Sequence, residues 1–385
     1  MIYLDNNATT QPDPAAISAA SDAIANNYFN PSAAYGASKQ IASKLEVARN
    51  AVASMLGATT GEVVFTSGGS ESIATAFHAA IAYADRAQRP AIVVSAGEHP
   101  LVLSLAELYA EAGFELRIAP LKVTGELDLE AARALLDERV AFASFMAVNN
   151  ETGVIYPWHE LATLAQQHAI PLHIDAVQAV GKLPINLRAH PGVSFASIAA
   201  HKFHGIKGAG ALFVRKGVRF APLIPGGHQE KGRRAGTENV AGILAMGAAA
   251  ALAQTRANDD VALQSIAKLR DEMQRELVLM HEAIAHASTV DCVSNTLSIA
   301  FPDVDAAAII RALDQRGVAV SAGAACTTGS LAPSHVLLNM GVESAIARST
   351  IRVSLSHHTQ ADEIEQAIAA IADALAELRR AKSAE

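Results

Sequence analysis

Along this chain, short runs of β-branched and apolar residues alternate with alanine-rich stretches of helical period. Runs at 62–66, 91–95, 141–148, 171–174, 195–199 and 210–215 stop at small or polar residues, which predicts strands that feed loops and then helices. The stops include Ser67-Gly68-Gly69-Ser70, Glu98-His99-Pro100, Asn149-Asn150-Glu151, Asp175, and the segment around His201 and Lys202. Such alternation predicts an α/β fold with an open, largely parallel sheet between helices, whose ligand site lies beyond the carboxyl ends of the strands. From about residue 258 the pattern changes to a long amphipathic helix over 261–287, short strands near 296–300, 319–321 and 351–355, and a closing helix. That last helix carries Ile364, Ile368, Ile371, Leu375 and Leu378 on one stripe and opens at Thr359 with Asp362 three on, a capping signature. The expected organisation is a large domain over 15–257. A smaller α+β domain takes 1–14 and 258–385 and carries a loop at about 321–334. The apolar run 240–253 is broken by Gly242 and Gly247; it falls short of the ~18–20 residues a bilayer span needs and predicts a buried or interface helix.

Composition narrows the function classes. With 30 Lys and Arg against 38 Asp and Glu, the formal charge is −8 over 385 residues. That balance argues against nucleic-acid binding and against a polybasic membrane patch. A chain that is 51% hydrophobic and 18% charged is not a disordered one. Two cysteines build no disulfide framework at this size, so a reducing compartment is expected. Residues 1–10 hold neither a basic region nor an apolar run, so no secretory signal is read and a cytoplasmic location is expected.

The strand ends carry the candidate chemistry. Lys202 follows a predicted strand, among Gly205, Gly208 and Gly210. An amine hemmed in at a crevice floor has a depressed pKa and makes a good Schiff-base nucleophile; the alternative is a solvated loop lysine. Asp175 can hold a proton on a pyridine nitrogen or cap the following helix. Ser67-Gly68-Gly69-Ser70-Glu71 can cradle an anion at a helix start or form an ordinary turn. His99 can stack on a planar cofactor and shuttle protons, or be structural. Cys326 sits among glycine, alanine and serine, which predicts an accessible loop thiol that is either a nucleophile or inert; Cys292 has no such context. Arg352 can clamp a substrate carboxylate or form a surface ion pair. No metal set is expected: His201 and His204 are three apart and His357 and His358 adjacent, without HExxH or CxxC.

Taken together, the segments Tyr3-Leu4-Asp5-Asn6-Asn7-Ala8-Thr9-Thr10, Asn149-Asn150-Glu151-Thr152-Gly153, His173-Ile174-Asp175-Ala176-Val177-Gln178 and His201-Lys202-Phe203-His204-Gly205 resemble the cysteine desulfurases of the NifS/IscS type. So do Gly226-Gly227-His228-Gln229-Glu230, Arg234-Ala235-Gly236-Thr237-Glu238-Asn239 and Pro333-Ser334-His335-Val336-Leu337, in the same order over essentially the whole chain. The nitrogen-fixation-type branch is the most similar. The resemblance implies a fold-type I, class V aminotransferase architecture with a seven-stranded, mostly parallel sheet. It also implies pyridoxal phosphate as cofactor and a homodimer. Lys202 would be the Schiff-base lysine, His99 would stack on the ring, Asp175 would pair with the pyridine nitrogen and Gln178 would contact the phenolic oxygen. Gly69, Ser70 and His201 would hold the phosphate, with Thr237 reaching it from the other subunit. Asn150 would lie beside cofactor and substrate, Arg352 would bind the substrate carboxylate, and Cys326 would be the nucleophile. The implied reaction is removal of sulfur from L-cysteine to give L-alanine and a persulfide on Cys326. That sulfur would pass to an acceptor protein such as an iron–sulfur scaffold.

Departures from the family pattern set further expectations. Ala199 stands where a serine usually donates to the phosphate, and Ser70 stands where a threonine is usual. Ile73 and Ala74 replace frequent asparagines, Ala324 a frequent serine, and Ser356-His357-His358-Thr359 stands where Gly-Arg-Phe-Thr is common. Losing one charge-assisted donor costs roughly 1.5–3 kcal/mol, or about ten- to hundredfold in cofactor retention. Two other functions fit the same scaffold: a cystine- or selenocysteine-type lyase that does not need Cys326, and a catalytically idle paralogue.

Overall fold

The computed structural model describes residues 1–323 and 332–383. Its strands are β1 (Ile2–Tyr3), β2 (Val63–Thr66), β3 (Ala91–Ser95), β4 (Glu115–Ala119), β5 (Val140–Met146), β6 (Leu172–Asp175), β7 (Val193–Ala199), β8 (Gly210–Val214), β9 (Ile284–Ala285), β10 (Thr296–Ala300), β11 (Val318–Ala319), β12 (Ser321–Ala322) and β13 (Thr350–Ser354). A seven-stranded sheet runs in the order β2-β8-β7-β6-β5-β3-β4. Every pairing from β7 to β4 is parallel, while β8 runs antiparallel to both β7 and β2. The sheet is thus mostly parallel, as the sequence predicts.

The period-two alternation of the strands sends side chains to two separate cores. Val63, Phe65, Val93, Phe145 and Phe213 pack into one core, and Val64, Ile92, Val94, Phe142 and Leu212 into the other. The main helices are α1 (Pro14–Asn26), α2 (Gly36–Met55), α3 (Gly69–Ile81), α4 (Pro100–Glu111), α5 (Leu129–Leu135), α6 (Trp158–Gln167) and α7 (Val240–Ala257). Residues of α2, α6 and α7 cover the first face, and residues of α3 and α4 the second. Helix α7 continues past the predicted run to Ala257 and is long and apolar enough to cross a membrane by length and composition, yet half of it is buried in the protein. Its Gly247 lies so close to α2 that an added Cβ would sit 2.6 Å from the Ala48 Cα, the packing of a core helix.

The C-terminal part has its own core. Helices α8 (Asp260–His281), α9 (Ala306–Asp314), α10 (His335–Asn339), α11 (Ser344–Arg348) and α12 (Ala361–Ser383) accompany a four-stranded sheet in the order β12-β13-β10-β9. Leu4 joins Met273, Leu297, Ile351, Ile364 and Leu375 in that core. Two boundaries differ from expectation. Helix α8 stops at His281 rather than 287, because Glu282 turns left-handed (φ 52°) and β9 follows. Helix α12 starts at Ala361: the Thr359 hydroxyl accepts from the Ser356 N–H, and Glu363 rather than Asp362 reaches back, to the Gln360 N–H.

Gly210 shows how tightly the strand ends meet. A Cβ there would lie 2.6 Å from the Gly68 Cα and 2.8 Å from the Ile198 carbonyl oxygen, all backbone that cannot rotate away. Gly210→Ala is therefore expected to lower stability by about 1–3 kcal/mol, read as a lower melting temperature. An unchanged melting temperature would show that β8 can shift without cost.

Candidate active site

The carboxyl ends of β5, β6 and β7 and the start of α3 surround one cavity of about 440 Å³. Asn7, Gly69, Ser70, His99, Asn150, Asp175, Gln178, Ala199, His201, Lys202 and Arg352 all line it. Of the residues given a site role from sequence, Thr237 is the only one among the described residues that does not line it. Thr237 is exposed in this chain and lines a different hollow with Ser67, Arg234 and Asn239. Cys326 lies outside the described residues.

Lys202 sits in the single turn that follows β7. Its Nζ donates to the Asn7 and Ala8 carbonyls at 2.7 and 2.9 Å. The N-terminal segment is held across this turn by the Thr10 N–H and hydroxyl, both donating to the His201 carbonyl. Asp175 ends β6 fully buried, and burial pushes its carboxyl up to about 6 against the opposing pull of Lys202. One carboxylate oxygen accepts from the Val177 N–H at 2.9 Å. The residue therefore closes a turn after β6, where no helix follows for it to cap, and it also lines the cavity.

His99 caps α4: its Nδ1 accepts from the Leu101 N–H at 3.2 Å, with Pro100 in the first helical position. Using that lone pair leaves the ring proton on Nε2. Burial, then the charges of Lys202 and His335, hold its pKa down to about 4, so the ring is neutral at pH 7. His201 is likewise held down to about 4 by burial and Lys202, with its Nδ1 3.2 Å from the Thr9 hydroxyl.

Arg352 on β13 enters the cavity from the C-terminal part. Its guanidinium donates to Asp5 Oδ1 at 2.9 Å, the Ser321 hydroxyl at 2.8 Å and the Asn150 carbonyl at 2.9 Å. Its Nε is buried without a partner among the described residues. A buried donor of this kind is costly until a ligand oxygen meets it, which suits a substrate carboxylate.

The donor set fits pyridoxal phosphate. A lysine amine, a buried carboxylate and a neutral imidazole ring share one cavity with the N-terminus of a thirteen-residue helix, where free backbone N–H groups suit a phosphate. Gly69 keeps that end open, since a Cβ there would come within 3.1 Å of Val177 Cγ2. Ala199 contributes only a methyl.

Several groups in and around the site were not singled out from sequence. Lys182 donates to Asn7 Oδ1 at 2.9 Å and Gln178 Oε1 at 2.6 Å, and burial holds its pKa well below the usual lysine range. Its i, i+4 spacing from Gln178 was the one available signal. Glu151 accepts from the Ser334 hydroxyl, and Glu98 accepts from the Ser95 hydroxyl and the Met146 N–H. The His335 ring donates to the Glu98 carbonyl at 2.9 Å. The fold also gathers Asp13, His204, His357 and His358, where no metal set was expected.

Glu98 gives a pH prediction. Burial raises its carboxyl from the ordinary 4.5 to about 8. Below 4.5 both folded and unfolded chains hold the proton, and stability from this group is at its highest. Between about 4.5 and 8 only the folded chain keeps it, so stability falls by up to about 1.4 kcal/mol per pH unit. Thermal unfolding of Glu98→Gln is expected to be flatter over that window than that of the unaltered protein. Parallel curves would remove Glu98 as the source.

The aminotransferase class-V family profile matches residues 2–367. A cysteine desulfurase of Enterobacter agglomerans is 42% identical over 381 residues, covering 98% of this chain and 93% of its own. Cysteine desulfurase NifS of Azotobacter vinelandii is 40% identical over 381 residues, with the same coverages of 98% and 93%. Among solved structures, a NifS-like protein superimposes with a TM-score of 0.91 at 33% identity, covering 98% of this chain and 99% of that one. SspA in complex with cysteine does so with a TM-score of 0.80 at 28% identity, covering 93% and 99%.

Proposed function

The chain belongs to the class-V aminotransferase family, among its cysteine desulfurases, and from that premise we propose that it draws sulfur from L-cysteine at the Lys202 cavity, releases L-alanine and leaves a persulfide on Cys326. The observation that carries this reading is convergence: residues from Asn7 to Arg352 bring an amine, a carboxylate, an imidazole, an anion cradle and a guanidinium to one cavity.

Each residue then has a task. Pyridoxal phosphate, when bound, supplies an aldehyde for amine condensation and a ring that draws electrons from the substrate α-carbon. Ser70, His201 and the backbone at the start of α3 hold the phosphate. Asp175 would keep a proton on the pyridine nitrogen, a pairing that favours its own ionised form over the burial that otherwise raises it to about 6. Arg352 receives the substrate carboxylate on its unpartnered Nε edge. Lys202 takes the α-proton on Nζ and gives a proton back to the α-carbon before alanine leaves. The Cys326 thiolate attacks the substrate sulfur. A sulfur–sulfur bond forms, the carbon–sulfur bond breaks, and its electron pair stays with the substrate carbon, which takes up a proton to become the methyl group of alanine. A second copy of the chain, contributing Thr237, completes the phosphate site. A sulfur-accepting protein such as an iron–sulfur scaffold removes the persulfide, in the cytoplasm.

The test is to incubate the cofactor-loaded protein with L-cysteine, assay alanine, and examine the Cys326 peptide by mass spectrometry. One added sulfur atom on that peptide, with alanine formed, is the expected result. Alanine without any added sulfur on Cys326, or no alanine at all, would overturn it.

A further inference from the structure

Three chain segments meet behind the Lys202 turn. Asp13 lies just before α1, His204 two residues after Lys202, and His357 and His358 follow β13. One ligand atom from each lies within 4.8 Å of every other. We propose that these four side chains form a binding site for one divalent transition ion of the zinc class, which ties the N-terminal segment and the Lys202 loop to the segment after β13.

Hydrogen bonding accounts for only part of this gathering: the Asp13 N–H donates to the His204 carbonyl at 2.8 Å, but the two imidazoles after β13 are not joined to Asp13 in this way. His357 Nε2 is 3.6 Å and His358 Nε2 3.8 Å from Asp13 Oδ1, both beyond hydrogen-bond length. His357 Nε2 is buried with no hydrogen-bond partner among the described residues. The rings crowd together instead, with centroids 4.4 Å apart for His204 and His357 and 3.8 Å for His357 and His358.

The protonation states suit a metal. His204 Nδ1 lies 2.8 Å from the Gln11 carbonyl, an oxygen that can only accept, so Nδ1 carries the proton and Nε2 keeps its lone pair. A backbone carbonyl behind a ligating imidazole is the usual orienting partner. Burial holds His204 down to about 4 and His357 to about 3, so both are neutral near pH 7. Arg256 holds the two Asp13 oxygens at 2.8 and 2.9 Å. It keeps the carboxylate ionised and aimed, and its charge is the main opposing cost. Bonds of 2.0–2.1 Å at a tetrahedral ion place ligands about 3.3–3.4 Å apart, so the two Asp13–imidazole gaps need to close by only a few tenths of an ångström. His358 is partly exposed and gives the ion its path from solvent.

Zinc also binds thiolates, so the test uses cofactor-loaded Cys326→Ala protein, stripped of metal by chelation and titrated with Zn²⁺ alone. One Zn²⁺ retained per chain, with a raised melting temperature, is expected. Adding His357→Asn and His358→Asn together is expected to weaken binding about a hundredfold, and His358→Asn alone about tenfold. The single change is at a partly exposed position and keeps the measurement open if the double variant does not fold. Co²⁺ in place of Zn²⁺ is expected to show the visible absorption of a tetrahedral nitrogen–oxygen site. Retention of no Zn²⁺ by Cys326→Ala protein, or equal affinity in the histidine variants, would overturn the proposal.

Discussion

Lys202→Ala is expected to lower alanine formation from L-cysteine by about a thousandfold or more, the order associated with loss of a positioned proton-transfer group that is also the nucleophile. Lys202 Nζ is aimed by two carbonyls, of Asn7 and Ala8, and shares its cavity with Asp175 and His99. Its charge is felt there as well, since it is the second cause of depression at both His99 and His201. Another amine nearby, Lys182, is committed to Asn7 Oδ1 and Gln178 Oε1 and cannot reach the same place without breaking both bonds. The alanine variant is also expected to lose pyridoxal phosphate on gel filtration, where the unaltered protein retains it. Lys202→Arg is not expected to rescue, because a guanidinium is neither a nucleophile nor a base near neutral pH. Activity within tenfold of the unaltered protein would mean that another amine does the work.

How far this site was legible in the sequence depended on how local each signal was. Strands with one uninterrupted apolar run were readable to within two residues, as at β3 and β10, where the expected and observed spans coincide. The edge strand β4, Glu-Leu-Arg-Ile-Ala, was not read, because Glu115 and Ile118 face solvent and the pattern there is neither alternating nor continuous. Of the residues that line the cavity, Ser70, His99, Asn150, Asp175 and Lys202 were readable because each sits just where a strand stops, a local signal, whereas Arg352 lies in the middle of β13. Glu98, Glu151 and Lys182 were not, since a buried charge declares itself only through partners such as Met146, Ser334 and Asn7, remote in the chain. The same holds for the histidine cluster, whose members are separated by up to 345 positions (358 − 13). For the domains, we propose the division between 15–257 and the remainder. Leu4 packing with Leu297, Ile351 and Leu375 supports it, as does Ser354, whose backbone bonds to both Leu4 and Asn6.

Cys326→Ala is expected to stop turnover with L-cysteine, again by about a thousandfold or more, while leaving cofactor retention unchanged. The contrast with Lys202→Ala separates the two roles, because of these two residues it is the lysine that is proposed to hold the cofactor. The described chain on either side of the thiol is anchored at the cavity rim. On one side, Ser321 pairs with Arg352 in the sheet and accepts from its guanidinium at 2.8 Å. Gly323 follows so close to Glu151 that an added Cβ would lie 2.7 Å from the carboxylate oxygen. On the other side, Ser334 donates to that same carboxylate and His335 to the Glu98 carbonyl. Both stems thus converge on Glu151, next to Asn150, which lines the cavity and whose carbonyl takes a bond from Arg352. Glu151 is fully buried, and burial raises its pKa, so removing its partner Ser334 is expected to disturb the stems rather than the cofactor. A C–S lyase acting by β-elimination would leave sulfur as free sulfide and the carbon skeleton as pyruvate and ammonia, and would keep turning over without Cys326. Formation of pyruvate and sulfide from L-cysteine by the Cys326→Ala protein, at the rate of the unaltered protein, would therefore replace the persulfide mechanism with elimination on the same scaffold.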